Sequence, residues 1–434
     1  MPLRLDIRDP GFEDAFREFL GRKREIEEDV DAVAAEIVAD VRARGDAALI
    51  ELTTRFDRLD LTAETLRIPA DEIAAAAGAC DTETIAALKT AAERIEAYHA
   101  KQIPEDQRYE DDAGVMLGAR WTALEAVGLY VPGGTAAYPS SVLMNAIPAK
   151  VVGVERMVMV VPTPDGVINP LVLAAADIAG VGEIYRVGGA QAVAALAYGT
   201  ETIQPVDKIV GPGNAYVVAA KRLVFGVVGI DLIAGPSEIL VVADDANDPD
   251  WIAADLLSQA EHDEVAQSVL ITDDADFADR VTAAIEIKLA ELPRGEIAGA
   301  SWRDQGAVIV VGDLDEAPAI IDRIAPEHLE LAVEDPEPLA DKVRHAGAIF
   351  LGRYTPEAIG DYVAGPNHVL PTSGSARFSS GLGVLDFVKR TSLVACNEES
   401  LRRIGPAAIS LAEAEGLDAH ALSVAIRLGG KTGT

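Results

Sequence analysis

The sequence predicts an α/β protein with two parallel-sheet domains, one nested in the other, and a short helical tail. Three observations carry that prediction. From about residue 150, short apolar runs alternate with helix-length segments, as at Arg156-Met-Val-Met-Val-Val161, Glu183-Ile-Tyr-Arg-Val187 and Lys208-Ile-Val210. Strands that alternate with helices build a parallel sheet. The alternation resumes after 237, with strands expected at 239–243, 268–272, 307–311, 329–333 and 348–351. Past about residue 382 the remaining chain is too short to bury a core of its own. The organisation expected is an arm over 1–28, a larger α/β domain from 29–127 with 238–381, a nested α/β domain over 128–237, and a tail over 382–434.

Taken in order, residues from roughly 10 to 100 read as mostly helical. The 30–44 segment is amphipathic and stops at Gly45. The 82–101 segment sets Ile85, Leu88, Ala92, Ile95 and Tyr98 on one side, which leaves His99 looking exposed. A polar turn follows near 110. The 126–131 run reads as a strand entering Pro132-Gly133-Gly134. Two more strands end in glycines, at Gly188-Gly189 and Gly211-Pro212-Gly213. In an open α/β sheet such ends form the ligand crevice, and glycines there either admit a phosphate or simply make tight turns. Helices are expected at 170–179, at 191–198 and from 214 to Phe225. Later, Gly235-Pro236-Ser237-Glu238 leads into the 239–243 strand. Asp248-Pro249 then caps a helix expected to turn Trp251, Ile252, Leu256 and Leu257 inward and to end at Gln259 and His262. The tail reads as a strand at 386–394 and helices at 398–415 and 417–428.

Composition narrows the class. Lys and Arg number 37 against 71 Asp and Glu, a formal net charge of −34. That balance repels nucleic acid and anionic membranes. It fits an acidic cytoplasmic enzyme or a salt-adapted one. Cys80 and Cys396 have no metal or redox spacing, as in a reducing compartment. The N-terminus lacks the apolar core of a signal peptide. The longest uncharged stretch, 126–149, is broken by Pro132, Gly133, Gly134, Pro139 and Pro148, so it reads as loop rather than membrane span. No Gly-x-Gly-x-x-Gly occurs. Gly430-Lys431-Thr432 imitates the end of a phosphate loop, but Ala425 stands where the first glycine is required.

Of six histidines, four lie in polar, turn-rich contexts: His262, His328, His368 and His420. With Asp361 close upstream of Gly365-Pro366, they point to a metal or acid–base site. Gln259 and His262 are three apart and so share a helical face. Nitrogen and oxygen donors without thiolate suit a zinc or manganese centre of the catalytic kind. Glu327-His328 puts a carboxylate beside an imidazole, a water activator beside a proton acceptor.

These residues stand in longer motifs: Gly128-Leu-Tyr-Val-Pro-Gly-Gly134, Val187-Gly-Gly-Ala-Gln191, Gly211-Pro-Gly-Asn214, Leu257-Ser-Gln-Ala-Glu-His262, Pro326-Glu-His-Leu329, Gly365-Pro-Asn-His-Val-Leu-Pro371 and Glu415-Gly-Leu-Asp-Ala-His420. Together they resemble the histidinol dehydrogenase family over nearly the full length. The resemblance implies oxidation of L-histidinol to L-histidine through L-histidinaldehyde with two NAD, the last steps of histidine biosynthesis. It implies one zinc per subunit, held by Gln259, His262, Asp361 and His420. It makes His328 the general base and Glu327 the activator of water. Ser237, His368 and Glu415 would hold the substrate's amine and imidazole beside Gln259, His262, Glu327, Asp361 and His420. Tyr130, Gln191 and Asn214 match the family's NAD contacts. The implied fold is two incomplete Rossmann-like domains with the tail exchanged across a homodimer that shares its active sites. A related zinc- and NAD-dependent dehydrogenase of another small polyol, such as a sulfonated diol, is the alternative, although His368, Glu415 and His420 stand as histidinol requires. A zinc-binding protein without catalysis is opposed by the intact Glu327-His328 pair.

Overall fold

Fourteen strands and the helices between them form three sheets in a computed structural model that describes residues 1–21, 28–133 and 138–429. Gly134 and the Gly430-Lys431-Thr432 segment lie outside the described residues. In chain order the strands are β1 (Leu3–Asp6), β2 (Gln107–Glu110), β3 (Met116–Ala123), β4 (Ala126–Tyr130), β5 (Arg156–Val160), β6 (Glu183–Tyr185), β7 (Lys208–Val210), β8 (Gly229–Ile230), β9 (Glu238–Ala243), β10 (Gln267–Thr272), β11 (Ala307–Val310), β12 (His328–Ala332), β13 (Ala348–Leu351) and β14 (Val388–Ala395). The chain divides into two units, the first of Met1–Gln102 with Glu125–Phe387, the second of Ile103–Leu124 with Val388–Thr434.

Two parallel sheets make up the first unit. One has six strands in the order β1-β11-β10-β9-β12-β13, the other five in the order β6-β5-β4-β7-β8. The α/β prediction therefore holds, and each of the five strands expected after 237 forms within one residue of its expected bounds. Every residue of β9 and of β12 is buried, as befits strands covered by helices on both faces. Val242, Ile271 and Leu331 pack on one face of the six-stranded sheet with Phe12, Phe16 and Phe19. Val241, Leu270 and Trp302 pack on the other with Ile252, Leu256 and Phe277.

Three local features differ from the sequence reading. β1 pairs in parallel with β11, Leu3 to Ala307 through Asp6 to Val310. A four-residue edge strand whose partner lies some 300 residues on leaves no local signal. His99 is buried, not solvated: it is 1% exposed and its Nδ1 lies 2.8 Å from the Ile95 carbonyl. The Thr82–Ala100 helix buries Leu88, Ala91, Ile95 and His99, one residue round from the stripe expected, and Tyr98 faces outward at 41% exposure. Trp251 also turns outward, 43% exposed, where its ring meets Tyr354 at 5.7 Å between centroids.

The second unit is a three-stranded antiparallel sheet, β14-β3-β2, with helices Glu398–Ala414 and Asp418–Ala425. Asn397 caps the first helix by accepting from the Ser400 amide. The helices close on each other at Gly405, where an added Cβ would lie 2.9 Å from Leu428 and 3.1 Å from Val424. Both cysteines are free. No described helix is long and apolar enough to cross a membrane.

Candidate active site

The amino ends of β9 and β12 bring the first charged side chains together. Glu238 opens β9 and His328 opens β12, and the two strands are paired neighbours. Glu327, 7% exposed, accepts a hydrogen bond from the Glu238 amide at 2.9 Å. His328, 3% exposed, has its Nδ1 2.9 Å from the Glu238 carbonyl and 3.6 Å from Glu327. A carbonyl can only accept, so Nδ1 carries a proton, and in the neutral ring Nε2 presents a lone pair. Nε2 is buried with no hydrogen-bond partner among the described residues. It lies 3.6 Å from Asp361 and 3.7 Å from Glu357.

Two helices supply the facing groups. The Pro249–Ala260 helix runs back from β9 and buries Gln259 in its last turn. The chain then folds over itself, His262 N–H to the Gln259 carbonyl at 3.1 Å. The short Glu357–Tyr362 helix follows β13 and carries Glu357 and Asp361, one turn apart on one face. His328, Glu357 and Asp361 offer ligand atoms that all lie within 4.8 Å of one another. Gln259 lies beside Glu357, and the charge of Asp361 acts on His262. His368 reaches the same place from the loop beyond, its Nδ1 3.0 Å from the Asp361 carbonyl and its Nε2 3.2 Å from Ser141 Oγ. Ser237 stands just before β9, half-buried.

The electrostatics are those of a site crowded with carboxylates. Burial works against a charged imidazole, yet Glu327, Asp361 and Glu357 outweigh it and raise His328 to about 10. Burial pushes Glu327 up to about 8 and Glu357 to about 7. Asp361 is driven the other way. Burial opposes its charge, but the nearby imidazoles of His328 and His368 hold it well below the usual carboxylate range. Burial lowers His262 and His368. A cation placed here would meet one ready anion, two neutral imidazoles and an amide oxygen. The set of Gln259, His262 and Asp361, all nitrogen and oxygen donors, therefore fits a zinc-type ion, and Glu357 is a further carboxylate within reach.

A cavity of about 470 Å³ opens beside this cluster, lined by His262, Glu261, Arg294, Tyr138, Leu143 and Tyr362 among others. Its far wall is the Pro139–Val151 helix, which follows β4 of the five-stranded sheet. Asn367 ties the His368 loop to that helix, donating to the Met144 carbonyl at 2.6 Å.

The remaining residues singled out by sequence fall in two places. Tyr130, Gln191 and Asn214 lie at the carboxyl ends of the five-stranded sheet. The Tyr130 hydroxyl accepts from the Gly189 amide at 2.9 Å. Gln191 is buried at the start of the Gly189–Tyr198 helix. Asn214 caps the next helix through the Tyr216 and Val217 amides. Gly211 has φ of +111°, and an added Cβ would lie 2.1 Å from the Tyr130 carbonyl, so only glycine makes this turn. Glu415 and His420 lie on the second unit and are both exposed. Sequence reasoning missed Glu238, Ser141 and Glu357. For Glu357 a signal existed: it stands four residues before Asp361, one helical turn away.

Glycine-ended strands on one parallel sheet and a buried imidazole at the amino ends of another sheet's strands fit a nucleotide-dependent oxidoreductase, and the likeness to known proteins makes this chain an NAD-dependent one. It belongs to the histidinol dehydrogenase family, whose model matches residues 20–428. It is 68% identical to the histidinol dehydrogenase of Rhodospirillum rubrum over 429 residues, covering 99% of both chains. It is 67% identical to that of Ruegeria pomeroyi over 428 residues, again with 99% of each covered. The crystal structure of histidinol dehydrogenase from Elizabethkingia anophelis superposes with a TM-score of 0.94 at 38% identity, covering 99% of this chain and 98% of that one.

Proposed function

We propose that the protein oxidises L-histidinol to L-histidine through L-histidinaldehyde, using two NAD, at the end of histidine biosynthesis in the cytoplasm. The observation that carries the reading is the His328 imidazole: oriented through Nδ1, buried, and with Nε2 left open toward Asp361 and Glu357. A base needs that geometry to take the proton of a substrate hydroxyl.

In the first oxidation Nε2 of His328 accepts the hydroxyl proton while hydride passes from the same carbon to NAD. The product is the aldehyde. In the second, Glu327 takes a proton from water as the water adds to the aldehyde carbonyl. The hydrated carbon then gives up its hydride to a second NAD while His328 accepts the proton of one of its hydroxyls, and the acid results. Gln259, His262 and Asp361 would hold zinc together with the partner subunit's His420. When bound, the ion supplies a Lewis acid that orients the substrate's donor atoms and offsets the surrounding carboxylates. His368 and Glu415 are suited to the two ends of the substrate's imidazole and amine. Ser237, half-buried at the entry to β9, is placed to add a hydroxyl contact. Tyr130, Gln191 and Asn214 shape the glycine turns where NAD approaches. Exposed Glu415 and His420 on a unit too small for a large core fit a tail given to a second copy, hence a homodimer with shared sites.

The test is NAD reduction on adding L-histidinol, followed by absorbance. Two NADH per histidinol are expected. No reduction, or one NADH with accumulating aldehyde, overturns the reading.

A further inference from the structure

Three polar contacts lace together the strand and the two helices that carry the site. Glu330 lies two residues beyond His328 on β12, on the same face, and is 2% exposed. Its carboxyl accepts a hydrogen bond from the Glu357 amide, at the start of the Glu357–Tyr362 helix. Asp255, half-buried on the Pro249–Ala260 helix, lies beside the same carboxyl. Between the helices, Ser258 Oγ lies 2.9 Å from the Glu357 carboxylate and 2.7 Å from the Asp255 carbonyl. The triangle is closed. At the other end of the short helix an added Cβ on Gly360 would lie 2.4 Å from the Phe350 ring, so helix and β13 are in close contact there.

The spacing gives the triangle a purpose. Gln259 stands four residues beyond Asp255, and Asp361 four beyond Glu357, so each is one helical turn from a tied residue. We propose that Glu330 is a positioning residue, tying both helices to β12 so that Gln259 and Asp361 are held at a fixed separation beside His328. This rests on the reading that Gln259 and Asp361 bind a metal ion.

Glu330 has the chemistry for the task. A hydrogen bond between two carboxyl groups requires that one keep its proton. Burial holds Glu330 well above the usual carboxylate range and Asp255 at about 6. Glu330 accepts from the Glu357 amide, and with its proton kept it can also donate to Asp255. A glutamine amide can do both. A leucine of similar size can do neither, and leaves the Glu357 amide buried without its acceptor.

The experiment compares full-length wild type with Glu330→Gln, Glu330→Leu and Asp255→Ala. Zinc affinity is measured by competition with a chromophoric chelator, and amide hydrogen exchange over 350–365 is measured without zinc. Glu330→Leu should weaken zinc binding about 10–100-fold and speed exchange in the Glu357–Tyr362 helix. Glu330→Gln should stay within about threefold of wild type on both, and Asp255→Ala should fall between. Equal zinc affinity in wild type and Glu330→Leu, or equal losses for Gln and Leu, overturns the proposal. Should Glu330→Leu not fold, wild-type zinc affinity and exchange in Asp255→Ala overturn it. A wild type that binds no zinc refutes the metal reading instead. The exchange data then decide, and unchanged protection in Glu330→Leu overturns the proposal.

Discussion

Replacing Glu327 by glutamine separates the two oxidations. The change is nearly isosteric, and the amide oxygen can still accept from the Glu238 amide, now 2.9 Å from the carboxylate. The fold of the β9 and β12 ends should therefore survive. What is lost is a group able to take a proton from water. General-base assistance is worth about 10²–10⁴ in rate, or roughly 3–5 kcal/mol of barrier. Only the second oxidation adds water. Glu327→Gln should slow oxidation of histidinaldehyde by that factor and hold oxidation of histidinol within about tenfold of wild type. His328→Asn, which removes the base used in both, should slow both by about 10²–10⁴. The assay starts the enzyme from each substrate in turn and counts NADH. Equal losses on both substrates for Glu327→Gln would refute the division of labour. The pH profile offers a second check. Glu327 and His328 both work deprotonated, and they are raised to about 8 and about 10. Activity should climb with pH across that window, and a profile that falls there would refute the assignment. Stability moves the opposite way for Glu327. Its folded value of about 8 exceeds the usual 4.5, so its protonated form favours folding. That contribution is complete below pH 4.5 and is lost as pH rises through about 8. Glu327→Gln should accordingly gain thermal stability over wild type in alkaline buffer.

Two further outcomes are expected. Chelator treatment should abolish activity and added zinc should restore it, a result refuted by full turnover in protein shown to be metal-free by elemental analysis. Co-expressing His328→Asn with His420→Asn should recover about a quarter of wild-type activity, because random pairing makes half the dimers mixed and one site in each mixed dimer carries no defect. Recovery no better than the two variants alone would mean the tail serves its own chain.

Much of the fold was legible because its signals are local. The βα alternation marks both parallel sheets, and Asn214, Asp248 and Asn397 announce helix starts by their own chemistry. The motif residues were legible too, since Gln259 and His262, or Glu327 and His328, are neighbours in the chain. Packing direction was less so. Trp251 and His99 each came out on the side opposite to the one expected, because a helix with apolar residues on several faces does not say which face its neighbours will cover. The supporting residues were the least legible. Glu238 meets Glu327 across 89 residues of sequence, Ser258 meets Glu357 across 99, and Ser141 meets His368 across 227.

By itself the sequence determined the α/β alternation and the acidic balance of charge, since each follows from composition or from spacing within a few residues, and its motifs supplied the candidate donors. Only the tertiary structure decided which carboxylates surround His328, which of its nitrogens is free, and how far burial moves Glu327 and Glu357. Those depend on side chains from distant segments meeting at the amino ends of β9 and β12, where water is excluded and each charge is felt by its neighbours.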